Sequence, residues 1–230
     1  MTQSIRVLAL GGDVLRNAIL DTASGGDHLD QGLAAALTAG AGDYELSVAY
    51  SPIDGIGELR ARLAIDSIEA AFGIDPHVVV IEMSAEVESL NLRSDDPHEA
   101  VRSFHDDLVA VFDAIKSGCD AHVLVAGVST YDPGDPISNL HGLESEPIML
   151  RAHRVNLALF QISHEVGLSV IDVDRMTAES GGGKVVPAPL ALSREGSALV
   201  RDETLRVLTD YGFFDGRSVV AQVGNRGGNT

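Results

Sequence analysis

Acidic residues stand where the apolar runs of this chain end, and their carboxylates are the groups best placed to do chemistry. Asp13 follows Val7-Leu8-Ala9-Leu10, and Asp54 follows the alternating stretch that ends at Tyr50. Glu82, Glu86 and Glu88 close the run that begins at His77, and Asp172 and Asp174 close the run 168–173. Short apolar runs bounded by turns read as buried parallel strands, whose carboxyl ends face the ligand crevice of an open α/β sheet. Carboxylates gathered there can share a proton, one of them raised in pKa and available for general acid–base work. Oxygen-rich groupings also suit magnesium or calcium, but no compact ligand spacing is present and no metal is expected. Asp54, Glu88 and Asp172 read as helix caps and solvated loop charges.

Other reactive types carry less. Gly11-Gly12-Asp13, taken alone, is a tight turn with Asp13 capping the next helix. Of the eight histidines, His77 and His122 begin strands and read as structural. His98, His105 and His164 fall on polar helix faces, and His28 lies in a loop. His141 and His153 are placed to reach the crevice, but no His-X-Glu or His-Glu-X-X-His pattern exists. Ser180-Gly181-Gly182-Gly183-Lys184 lacks the cradle of a phosphate loop and reads as a flexible connection. The single Cys119 excludes an internal disulfide and a cysteine zinc cluster. No cofactor is expected.

These groups need a scaffold, and the periodicity supplies one. Strands are expected at 5–10, 44–50, 77–83, 121–128 and 168–173, with helices at 15–23, 31–38, 56–72, 98–115, 148–166 and 193–211. The stretch 84–96 reads as a loop rich in acids, and 129–146 as a long excursion of the kind that is usually a lid or disordered. Alternation of strand and helix implies a single three-layer α/β/α domain over 1–216, followed by a tail, 217–230. With 45% hydrophobic and only 4% aromatic residues, the core must be Val, Leu, Ile and Ala. The net charge of −18 repels phosphate backbones and anionic membranes, so neither nucleic acid nor membrane is an expected partner. No signal peptide and no apolar run of membrane length is read, which points to a cytoplasmic protein.

On these residues the chain resembles the SGNH, or GDSL-type, hydrolases over nearly everything to Tyr211. Leu8-Ala9-Leu10-Gly11-Gly12-Asp13-Val14 is similar to their first block, and Asp54-Gly55-Ile56-Gly57-Glu58-Leu59 to their second. Val80-Ile81-Glu82-Met83-Ser84-Ala85-Glu86-Val87 sits where their third block lies, and Leu192-Ser193-Arg194-Glu195-Gly196 matches the segment just after their catalytic histidine. The resemblance implies five parallel strands in the flavodoxin-like order 2-1-3-4-5. The catalytic letters differ: the nucleophile's place falls on Asp13 or Val14, the third-block Gly and Asn on Ser84 and Glu86, and the paired Asp and His on Ala188 and Ala191.

A serine hydrolase needs a hydroxyl, a base and oxyanion donors, so the usual acyl-serine route is not expected. The resemblance puts Asp13 and Glu86 inside the pocket, and these are the expected catalytic pair. Gly12, Gly55, Ser84 and Ser129 are the expected substrate contacts. Two functions are compatible with such a pocket: an enzyme working on a small polar or acyl substrate through rebuilt acid–base chemistry, or an inactive SGNH-fold protein that binds a ligand or protein partner.

Overall fold

The computed structural model describes residues 3–12, 14–16, 44–131 and 147–212. Its strands are β1 (Gln3–Leu10), β2 (Tyr44–Ser51), β3 (Val78–Glu82), β4 (His122–Ala126) and β5 (Ser169–Ile171). All pair in parallel, in the expected order β2-β1-β3-β4-β5. A sheet covered on both faces demands apolar residues at every strand position, and all five residues of β3 are buried. Leu10 pairs with Ile81 and Glu82 with Ala126, so neighbouring strands finish almost level.

Alternate strand residues feed two cores. Leu8, Leu10, Val79, Ile81, Val123 and Val125 face one layer, and Val7, Ala9, Val78, Val80, Leu124 and Ala126 face the other. The first layer holds helices α1 (Ile56–Leu63), α2 (Ile68–Phe72), α3 (Ser84–Arg93), α4 (Pro97–Gly118) and α5 (Ile148–Val166). The second holds α6 (Val173–Glu179) and α7 (Arg194–Asp210). Helix α4 shows how the sequence sets an element: Asp96 caps it, accepting from His98 N–H at 2.8 Å, and Pro97 opens its first turn. Its buried face is Ala100, Phe104, Asp107, Leu108, Val111 and Ile115, at the 3–4-residue spacing of a helix stripe. No helix among the described residues is long and apolar enough to cross a membrane.

Four local expectations are corrected. The helix foreseen over 56–72 is two helices, because Ser67 accepts from Ala70 N–H at 3.3 Å and starts a second one. Ile65, counted in the apolar period, is accordingly 84% exposed. The acid-rich 84–96 is largely helix α3, held down by buried Val87 and Leu90. Strand β5 stops at Ile171 because Asp172 caps helix α6, accepting from Arg175 N–H at 3.0 Å. The glycine stretch near 181 is an ordered turn with a short 3-10 helix, Gly182–Lys184. The Tyr131 ring packs against it, 2.7 Å from where a Gly182 Cβ would stand. The expected helix 15–23 beyond residue 16, the helix 31–38, the part of the excursion 129–146 from residue 132 on (with His141), and the tail 217–230 lie outside the described residues.

Candidate functional site

At the carboxyl end of β3, Glu82 is buried within an otherwise apolar strand, 3% exposed. Its Oε2 accepts from the backbone N–H of Gly12 at 2.8 Å and of Leu15 at 3.3 Å, so it ties the turn after β1 to the middle of the sheet. Gly11 makes this approach possible, since a Cβ there would stand 2.6 Å from Glu82 Cβ. Glu82 Oε1 has no hydrogen-bond partner. Burial pushes the Glu82 pKa above the ordinary glutamate range and outweighs the opposing pull of Ser84 and the two backbone donors. Asp13 lies outside the described residues.

Glu86 sits differently. It is a buried residue in the first turn of α3, and its Oε1 accepts from Ile56 N–H at the start of α1. Gly55 leaves room for that carboxylate: its φ is 132°, and a Cβ would fall 2.6 Å from Glu86 Oε1. A negative charge at a helix N-terminus is favourable. Glu86 Oε2 also pairs with Arg93 at 2.8 Å, Arg93 pairs with Asp107 at 2.6 Å, and Asp107 with Arg60. Burial pushes Asp107 up, but Arg93 and Arg60 together prevail and hold it below the usual aspartate value. This chain of charges links α1, α3 and α4.

Glu82 lines a small cavity together with Val14, Val128, Ser129, Leu190 and Ala191. It leaves about 10 Å³ for the centre of a water-sized sphere, room for about one water. Ala188 and Ala191 form a bridged turn, with Ala191 N–H donating to Ala188 O at 3.0 Å. Leu190 at its tip has φ 57°, a left-handed conformation that costs a bulky residue about 1–2 kcal/mol. Ser129 Oγ is 2.8 Å from Thr177 Oγ1 and accepts from Tyr131 N–H, while Asp174 accepts from both Thr130 N–H and Oγ1 at 2.7 Å.

Of the expected contacts, Ser129 lines this cavity, Gly12 and Ser84 adjoin Glu82, and Gly55 and Glu86 belong to the α1–α3 junction. Asp54 and Glu88 border an open groove with Ile53 and Leu92, and Asp172 caps α6. His77 Nδ1 accepts from Arg6 N–H at 3.0 Å, and His122 Nε2 meets Ser169 Oγ at 3.0 Å. Two participants outside the expected pair carry a signal in the sequence: Glu82 is an acid inside a buried run, and Asp107 an acid on the apolar stripe of α4. Arg93 carries none, because its partners come from other parts of the chain. Among the described residues no three His, Cys, Asp or Glu side chains gather as a metal group.

No protein-family model matches the chain, and no curated protein matches it. Solved structures do. A GDSL-family lipolytic protein from Veillonella parvula superposes with TM-score 0.58 at 14% identity, covering 89% of this chain and 98% of that one. A GDSL-like lipase from Parabacteroides merdae gives TM-score 0.62 at 12% identity, covering 88% and 94%. A catalytic mutant of an acetylxylan esterase from Geobacillus stearothermophilus gives 0.62 at 16% identity, covering 90% and 95%. With the strand order and the flanking helices, these matches establish that the chain has the SGNH/GDSL-type hydrolase fold.

Proposed function

We propose that this chain is a non-hydrolytic protein on the SGNH fold, holding a small ligand or a protein partner at its strand ends without acyl-serine turnover. The lining of the Glu82 cavity carries this reading. Val14, which shares with Asp13 the place the resemblance gives the nucleophile, and Ala191, at the place of the histidine, meet there as apolar groups. Ala188, at the place of the aspartate, lies in the same turn as Ala191. Acyl transfer needs a hydroxyl, a base and an orienting acid in contact, and Ser129 has Thr177 as its partner instead. The test is labelling by a fluorophosphonate, together with release of nitrophenol from nitrophenyl acetate. Neither should exceed the level of a denatured control; stoichiometric labelling of any serine would overturn the reading.

The second reading, acid–base catalysis by Asp13 and Glu86 on a small polar or acyl substrate, draws its support from Glu82. A buried carboxyl with a raised pKa is the kind of group that serves as a general acid. Glu86 supports it less, being committed to Ile56 N–H and Arg93. Under this reading Asp13→Asn and Glu86→Gln each abolish turnover of whatever substrate is found, whereas under the first they leave the chain as inert as before. Either reading fits a cytoplasmic protein that meets small molecules rather than nucleic acid, given the charge of −18.

A further inference from the structure

Helix α5 is apolar on two opposite sides. One side packs into the core through Ala152, Val155, Ala158, Leu159 and Ile162, all buried. On the other, Leu150, His153, Leu157, Phe160 and His164 are exposed, Leu157 at 57%. They follow one another at steps of three, four, three and four residues, the repeat of a helix seam that receives a second helix. A helix that is apolar all round is normally covered all round. Of the eight large apolar side chains exposed among the described residues, Met149, Leu150, Leu157 and Phe160 stand on this one helix. Its charges are unevenly placed too. Arg151 and Arg154 lie in the first half, and Glu165, the one acid of α5, lies in the last turn. Glu165 meets His105 of α4 at 2.7 Å, and His105 in turn meets Asp106.

We propose that this face pairs with the same face of a second copy of the chain, the two α5 helices running antiparallel about a two-fold axis between Leu157 and Phe160. Leu157 of each copy then packs on Phe160 of the other. The seam is its own complement, because the steps from His153 to His164 (four, three and four) read alike in both directions. Antiparallel pairing sets the Arg151–Arg154 turn of one helix level with Glu165 of the other, whereas parallel pairing would set like charges together. Two molecules of charge −18 repel each other over most of their surfaces, and a helix with two arginines and one acid is where they can close. A pair of 19-residue helices, each about 28 Å long, covers less than the roughly 800 Å² per partner of a standard interface, so the dimer is weak and concentration-dependent. The pairing holds whichever chemistry the strand ends perform.

Sedimentation velocity of the full chain tests this from micromolar to near-millimolar concentration, over which monomer should pass to dimer. Leu157→Glu puts a carboxylate into each half of the apolar contact and should weaken the dimer at least about tenfold. Ile65→Glu, at an equally apolar exposed position between α1 and α2, should leave it unchanged. Both substitutions replace exposed side chains, so the fold of the monomer stays in place. The direction of pairing is read from spin labels on Met149→Cys, with Cys119→Ser removing the native thiol. Two labels should stand about 28 Å apart along the antiparallel pair, against about 10 Å side by side in a parallel one. A chain that stays monomeric to near-millimolar concentration overturns the proposal. So does a dimer that Leu157→Glu leaves intact, one that Ile65→Glu weakens equally, or a label separation of about 10 Å.

Discussion

Glu82 and Glu86, four residues apart, are both buried acids, and their hydrogen-bond partners differ. Glu82 accepts from the backbone of Gly12 and Leu15 and lies beside Ser84, yet desolvation outweighs these donors and raises its pKa. Glu86 has a guanidinium and a helix N-terminus, which together compensate a buried negative charge. Glu86→Gln keeps the acceptor for Ile56 N–H but strips Arg93 of one of its two carboxylates. It should cost about 2–3 kcal/mol, below the full penalty for orphaning a buried ion because Asp107 remains. Urea denaturation measures this, and a change under about 0.5 kcal/mol, the range of a neutral surface substitution, would refute the role of the charge chain.

At the scale of elements, the strands were legible and the helix boundaries less so, for a physical reason. Val78-Val79-Val80-Ile81 admits no reading other than a buried strand, whereas the breaks at Asp66-Ser67 and at Asp172 are made by single side chains capping backbone N–H groups. Such caps override a continuous apolar period, and the period alone does not reveal them. The site was half legible: strand ends pointed to the right end of the sheet, but pairing of Arg93 with both Glu86 and Asp107 depends on how α3 and α4 cross. Strand β4 carries a pH response of its own. His122, packed near Tyr211 and Ser169, is held down to about 4 by burial and then by Lys116. Between pH 6.5 and 4 the unfolded chain binds a proton there that the folded chain refuses, so stability falls as the pH drops through that window, by up to about 3 kcal/mol. His105 works the other way: burial is its largest influence, but Glu165 and Asp106 outweigh it and raise its pKa. Its stabilisation is present in acid and fades as the pH rises through the folded pKa. His122→Gln should flatten the acid limb of a stability–pH curve, and an unchanged slope would contradict this account.

Across the whole molecule, 34 acids oppose 16 bases. Much of the local pairing is surface pairing, such as Arg206 with Glu203 and Asp210, and contributes little in water. The excess negative charge instead acts as a diffuse repulsion that weakens the compact state. Raising sodium chloride from about 10 mM to about 150 mM, where the Debye length shrinks to about 8 Å, should therefore raise the melting temperature. A fall in melting temperature would mean that attractive surface pairs outweigh the repulsion. The fold itself was the most legible feature, because strand order depends on repeated apolar runs and right-handed crossovers rather than on any single residue.

The packing of Tyr131 on the Gly182–Lys184 turn gives the molecule an optical handle. The chain has four tyrosines and no tryptophan, so its ultraviolet emission is tyrosine emission, free of the indole signal that usually swamps it. Tyr131 is 41% exposed, and its ring lies against Gly182 and Gly183. Its brightness should therefore change when that contact opens, and Tyr131→Phe should remove the change while leaving the other three rings to report unfolding.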